Sequence, residues 1–357
     1  MTRAALALAC LIIALAGEAS AQSLTAMPQD KGLPVRVNAA VAYVELQSFN
    51  ENTGTYKATV DIRLRWQDPR LRSPNVTETD PPKVYRSGEA DAQLAKIWSP
   101  AVELVNQRDK ATYFSQGLRL YADGRVELIK RTTAEFAMNF DVGRFPFDHQ
   151  KLPLDLAVRN QTSDMVTLAF DQNDLDFSRA ASDVKLDGWS VGQVALRGET
   201  IPGWYGFSHA KVSAFLEIVR QPAPIIAAVF LPLFASLVIP VLAIWLNRVE
   251  DGRFQIETFE LTNVIIGGLF TVIALNFTVN SVYTVLSTGP NPVNKLFALN
   301  YVALGVALLV NILMFRFEVV GRAFGRYVQE QLYLVLMWAV PLLAAAMALA
   351  IILVAFV

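Results

Sequence analysis

The chain has 357 residues, 53% of them hydrophobic, with 31 basic side chains against 32 acidic ones. The even charge balance gives a nucleic acid no basic surface to bind, and the apolar excess, concentrated after Pro222, is too large for an ordinary soluble protein. A single cysteine and two histidines leave no material for a disulfide framework or a thiolate metal cluster.

Met1 to Ala21 carries Arg3, an apolar stretch from Ala4 to Ala16 and the small-residue site Ala19-Ser20-Ala21. This is the pattern of a secretory leader, and Cys10 is expected to leave with it. Residues 22–222 are expected to form an outer domain. Short alternating runs at Val35 to Leu46, Tyr56 to Trp66, Leu118 to Leu120, Val126 to Lys130, Leu152 to Val158 and Lys211 to Val219 read as strands. Turn chemistry stands at Asn52-Thr53-Gly54 and Ala122-Asp123-Gly124. Many short strands without a long helical period predict an all-β sandwich of immunoglobulin-like type. The run Asp171 to Asp176 lacks the sixth-position glycine and twelfth-position glutamate of a calcium loop. It is expected to be a solvated acidic loop, with a modulatory Ca²⁺ as the alternative; no other metal or cofactor is expected.

Residues 223–357 hold four apolar runs, Ile225 to Leu246, Phe259 to Tyr283, Leu296 to Phe315 and Leu332 to Val357. Each is long enough to cross a bilayer core of about 30 Å. After an exported domain the first span runs inward. The loops holding Arg248, Arg253, Arg316, Arg322 and Arg326 are then cytoplasmic, while the outer loop Leu286 to Asn294 has no Lys or Arg. The C-terminus falls outside. Pro232, Pro240 and Pro341 lie within spans and need neighbouring helices to satisfy the carbonyls they leave unpaired.

The second run is not evenly apolar. At about 100° per residue, Glu260, Asn263, Gly267, Phe270, Thr271, Ala274, Thr278 and Ser281 fall within an arc of roughly 100°. The opposite face reads Leu261, Ile265, Leu269, Val272 and Ile273. Polar groups facing hydrocarbon are unfavourable unless partnered or wet, so the stripe is expected to face protein or a pore. One span cannot enclose water alone, so a pore requires several copies around it. Gly267-Gly268 reads equally as a flexible joint and as a close helix contact. Asn276 lies off the stripe and suits an interhelical hydrogen bond.

Specific motifs agree with this outline. Phe145-Pro146-Phe147-Asp148-His149-Gln150 resembles the FPFDxQ core of the pentameric ligand-gated ion channels, the Cys-loop or Pro-loop receptors. Met138 and Leu152 stand where animal members have the loop cysteines, as in the disulfide-free prokaryotic type. In the family's order follow Trp66-Gln67-Asp68-Pro69-Arg70-Leu71, the segment Ile97 to Asn106 with Trp98 and Pro100, the pre-membrane Arg220, and Phe230-Leu231-Pro232.

The resemblance implies a homopentamer around the second span, in a bacterial inner membrane, with the outer domain and C-terminus periplasmic and with lipid around the spans. It implies that the stripe lines the pore for monovalent cations and that Glu260, with Glu257 as its rival, supplies an acidic selectivity ring. The competing reading of both glutamates is helix N-terminal charge complementation. Asp148, Pro146, Phe147, Arg220 and Pro290 are implied in coupling the outer domain to the pore, with Pro146 as a candidate cis-proline turn. For the ligand, Trp66, Tyr113, Phe114, Arg159, Trp204, Tyr205 and Phe207 are the candidates; the position of a common box aromatic reads Ala157 to Gln161, and Arg159 suits an acidic agonist instead. Trp98 is expected in the core. A proton is the other candidate trigger. An anion-selective channel, a non-conducting sensor and a membrane enzyme are the alternatives; the enzyme lacks a nucleophile or metal constellation.

Overall fold

The computed structural model describes residues 23–28, 32–73, 80–246, 248–250, 253–255 and 258–356. The expected leader with Cys10, and Glu257, lie outside the described residues. Among the described residues ten strands build the outer domain: β1 (Val35–Asn50), β2 (Thr55–Gln67), β3 (Lys83–Arg86), β4 (Val102–Leu104), β5 (Tyr113–Leu120), β6 (Arg125–Ala137), β7 (His149–Val158), β8 (Val166–Ala169), β9 (Trp189–Pro202) and β10 (Ser208–Arg220). They form a six-stranded sheet, β3-β5-β6-β2-β1-β8, facing a four-stranded one, β4-β7-β10-β9. Every pairing is antiparallel except β1 with β8.

The alternation of β2 sets the inner face, because successive side chains of a strand point to opposite sides. Ala58, Val60, Ile62, Leu64 and Trp66 are buried against Leu152, Leu154, Leu156, Val212, Ala214 and Leu216 of the other sheet. Trp98 joins this core edge-to-face with Trp66, at 6.1 Å between ring centroids.

Among the described residues four helices long and apolar enough to cross a membrane follow: Ala223–Trp245, Glu260–Val282, Pro292–Arg316 and Arg326–Phe356. The first contains a π-turn at Ile226–Phe230, immediately before Leu231-Pro232, and the third ends in another at Asn311–Arg316. A two-stranded hairpin, Arg248–Glu250 with Arg253–Gln255, lies between spans one and two.

The third span begins four residues before the expected Leu296. Asn291 caps it by accepting from the Asn294 N–H at 2.9 Å, and Pro292 occupies the first turn. The fourth begins at Arg326, six residues before Leu332, with polar side chains in its first turns. Its Pro341 cannot donate to the Met337 carbonyl, and the Trp245 indole N–H of the first span does so at 2.7 Å. A neighbouring helix thus satisfies the carbonyl that the proline leaves open. A buried Ser236–Asn300 contact at 3.2 Å ties the first and third spans.

The two bodies meet at the loop between β6 and β7. Its Val142 and Phe145 are buried in the helical core rather than the sandwich core, among Val285, Leu286 and Val293.

Candidate functional site

On the second span all eight stripe residues, Glu260, Asn263, Gly267, Phe270, Thr271, Ala274, Thr278 and Ser281, are exposed in the folded chain. The face packed on the other spans is Leu261, Ile265, Gly268, Val272 and Val279. Of the face opposite the stripe, Leu261, Ile265 and Val272 are buried, while Leu269 and Ile273 are exposed. The buried arc is centred closer to Gly268, leaving an exposed arc of roughly 220° at about 100° per residue. Apolar shoulders flank the stripe, with Val264 and Val282 on one side and Ile266, Leu269, Ile273 and Phe277 on the other.

The stripe hydroxyls fold back onto their own helix. Thr271 donates to the Gly267 carbonyl at 2.9 Å, Thr278 to Ala274 at 2.8 Å and Ser281 to Thr278 at 2.8 Å. With each proton engaged, the exposed remainder of the hydroxyl is an acceptor, which suits a cation. Phe270, 68% exposed, is the bulkiest group on the stripe.

The two glycines of the pair differ. A Cβ on Gly268 would lie 2.7 Å from Ile239 Cγ2 and 3.1 Å from Leu304 Cδ2, so Gly268 is the close helix contact. A Cβ on Gly267 would meet nothing within 4 Å. Asn276 donates to the Tyr301 hydroxyl of the third span at 3.2 Å.

Where the sandwich meets the spans, the end of β10 brings Arg220 beside the start of β7. Arg220 Nε and Nη2 donate to Asp148 Oδ1 and Oδ2 at 2.7 and 3.2 Å. Its Nη1 and Nη2 donate to Glu51 at 2.9 and 3.1 Å. Asp148 is 2% exposed and Arg220 6%. Burial pushes the Arg220 guanidinium down, but the hydrogen bonds and charges of Asp148 and Glu51 hold it above its ordinary value. Gln150 donates to Asp148 Oδ2 at 2.8 Å and to the Asp141 carbonyl at 2.6 Å, so Asp148 is fixed from both sides.

Aromatic rings close the cluster, with the Arg220 guanidinium 4.1 Å from the Trp189 ring centroid and 4.9 Å from that of Phe145. Phe145 in turn sits edge-on to Tyr283 at the top of the second span, 5.8 Å between centroids. The Phe145-Pro146 bond is cis. Phe147 stacks on Phe356 of the fourth span at 4.0 Å. Pro290 is exposed, next to the buried Asn291, whose amide donates to the Leu286 and Gly289 carbonyls at 2.6 and 3.0 Å. Glu51, in the Asn50 to Thr53 turn that the resemblance expects beside this layer, and Gln150, of the FPFDxQ motif, belong to it; Trp189 belongs to it too and was not singled out from the sequence.

The ligand candidates separate. Arg159, Trp204, Tyr205 and Phe207 line one cavity of about 630 Å³ with Asn160 and His209. The tip of the β9–β10 hairpin holds Tyr205 at φ 55°, a left-handed conformation unusual for a tyrosine, and leaves it 94% exposed. Gly203 is required below it, because any Cβ there would overlap the His209 ring. His209 Nδ1 lies 2.8 Å from the Gln161 carbonyl, which fixes the proton on that nitrogen. Tyr113 and Phe114 are exposed on β5, in other cavities. Trp66 is 3% exposed and lies in the sandwich core, apart from the other candidates.

The acidic run is not the solvated loop expected. Gln172–Phe177 is a helix capped by Asp171. Asp174 is fully buried, ion-paired to Arg63 at 3.0 Å and Arg65 at 2.7 Å, and accepts from Asn38 at 3.0 Å. Its carboxylate is taken up by arginines of β2, while the helix itself packs on β1.

The family model described as the neurotransmitter-gated ion-channel ligand binding domain matches residues 23–222, more than half of the chain. A proton-gated ion channel of Gloeobacter violaceus is 27% identical over 220 residues, 61% of this chain and 58% of the relative. The gamma-aminobutyric acid receptor subunit theta of Mus musculus is 23% identical over 248 residues, 67% of this chain and 36% of the relative. The glycine receptor subunit beta of Homo sapiens is 24% identical over 251 residues, 64% of this chain and 47% of the relative. The matched part therefore covers 58% or less of each of these relatives.

Proposed function

This chain belongs to the pentameric ligand-gated ion channel family, and from that premise we propose that it forms a homopentameric, cation-selective channel of a bacterial inner membrane. A small-molecule signal at the periplasmic domain opens it. The observation that carries this reading is the second span: an exposed polar stripe between two apolar shoulders, opposite the face packed on the other spans. Copies of that helix set side by side cover the shoulders and turn the stripe to a common axis. Five Glu260 carboxylates at its cytoplasmic end attract cations, and the acceptor oxygens of Thr271, Thr278 and Ser281 continue that preference.

In the ligand pocket, Arg159 among Trp204, Tyr205 and Phe207 suits an agonist with an acidic group on an apolar body. Closure at that pocket reaches the pore through Arg220, Asp148 and Glu51, then through Phe145 against Tyr283. A second reading, proton opening, is favoured by the similarity to the proton-gated ion channel of Gloeobacter violaceus, with His209 in the same pocket as the side chain to test.

Reconstitution in a bilayer under a KCl gradient tests the function. Reversal near the potassium equilibrium potential is expected, and Glu260→Gln should move it toward the chloride value. Reversal at the chloride value in the unaltered protein would refute cation selectivity. Activation by acid that His209→Gln abolishes would favour the proton reading.

A further inference from the structure

A charged side chain, Lys130, faces the inside of the sandwich. The register of β6 on β2 sets Lys130 opposite Ile62, in the row that holds Val126, Leu128, Thr132 and Ala134. Those four neighbours are buried, so Lys130 lies on the inward side of the sheet. Its partner on β5 is Gln116, whose amide donates to Asp91 instead. Lys130 is half-buried, and among the described residues nothing hydrogen-bonds or ion-pairs with it. Burial alone pushes its ammonium down.

The space in front of Lys130 is a cavity of about 270 Å³ between the sheets. Ile62, Leu64, Leu104 and Leu156 form its walls, Phe114 stands beside it, and Glu103 is the other ionisable group on its lining. Glu103 is exposed and leans toward Arg159, at 3.9 Å. The volume falls just under the range of about 300–1,000 Å³ that drug-sized ligands occupy. A lone ammonium at an apolar wall is unfavourable unless an anion meets it, and an apolar body fills the remaining space.

We propose that this inter-sheet cavity binds a small monocarboxylate with an apolar body, its carboxylate on Lys130 and its body against Ile62, Leu64, Leu104 and Leu156. The site is separate from the pocket of Arg159 and Trp204 and does not depend on the channel reading. The competing arrangement is a lysine that lays its stem on the wall and carries its charge out to water.

Competitive acetylation of the full-length protein, quantified at Lys130 by mass spectrometry with benzoate as the probe, separates the two. At about ten times its Kd, benzoate should slow labelling of Lys130 about tenfold, following simple occupancy. The same protection should persist in Trp204→Ala, which removes a wall of the other pocket. In Lys130→Met, an apolar replacement that leaves the core volume nearly unchanged, benzoate should no longer raise the thermal midpoint. Labelling of Lys130 unaffected by benzoate, protection lost in Trp204→Ala, or undiminished thermal stabilisation of Lys130→Met would each overturn the proposal.

Discussion

Replacing Asp148 by asparagine should be far more damaging than its isosteric shape suggests. The Asp148 carboxylate receives Arg220 Nε on one oxygen and both Arg220 Nη2 and Gln150 Nε2 on the other. An asparagine must place its NH₂ against at least one of these donors. Gln150 cannot turn over to help, because it donates to the Asp141 carbonyl at 2.6 Å and accepts from the Asp141 N–H at 3.3 Å. With Asp148 2% exposed, water does not substitute. Breaking such a buried pair costs about 3–5 kcal/mol. At about 2–4 °C per kcal/mol for a domain of roughly 200 residues, the sandwich should melt about 6–20 °C lower. Glu51 grips the same guanidinium but its side chain is 22% exposed, so Glu51→Gln should cost only about 1 kcal/mol. The assay is thermal unfolding of the purified protein followed by tryptophan fluorescence, with the double variant completing a mutant cycle. An Asp148→Asn midpoint close to that of the unaltered protein, a larger effect from Glu51→Gln, or strict additivity of the pair would refute the reasoning.

Gly268→Ala should destabilise the spans by about 1–3 kcal/mol through overpacking against Ile239 and Leu304. Gly267→Ala should leave the midpoint unchanged, and the two are compared in one detergent melt. Trp245→Phe should cost about 0.6 kcal/mol, near the mean for membrane hydrogen bonds, by leaving the Met337 carbonyl unpartnered. The double variant with Pro341→Ala, which restores that carbonyl's helical partner, should cancel that loss in the same melt. For acid stability, burial pushes the Asp171 carboxyl up, but the Asp174 N–H and Arg65 outweigh it and hold it below its ordinary value. A folded-state value below the unfolded one means the contribution is full above the unfolded value and is lost as pH falls through the folded value. Acid unfolding should therefore be shallower in Asp171→Asn below the ordinary carboxylate range, as a pH series of midpoints would register.

The parts of this molecule that follow local rules could be read from its sequence. The strict alternation of Ala58, Val60, Ile62, Leu64 and Trp66 became a central strand, and each apolar run became a span. The stripe was legible because helical periodicity is local. The edge strand β9 was not, since Gly192, Gly198 and scattered charges break its alternation and most of it is exposed. Span starts were misjudged by hydropathy, although Asn291-Pro292 is a helix-start signal that capping chemistry would have revealed. Contacts that join distant segments leave no trace in local pattern: Asp174 finds Arg63 across 111 positions, and the Glu51 turn, 169 positions from Arg220, was placed beside it by family resemblance alone. Asp148 with Arg220 was accessible only through family resemblance. Lys130, counted within an ordinary strand, carried a signal in its place on the Val126 and Leu128 side of the alternation.

The inward bonding of Thr271, Thr278 and Ser281 bears on the life of a newly made chain before it meets its neighbours. Released alone into lipid, the second span would turn its stripe to acyl chains. Because each of these hydroxyls already has a carbonyl of its own helix, the solitary subunit is not driven into wrong pairings by unsatisfied donors. Glu260 and Asn263, the most polar members, lie in the first turns of the helix at the expected cytoplasmic boundary, where water reaches them. The wall that would face ions after assembly is thus the same surface that lets a lone subunit wait in the bilayer for its partners.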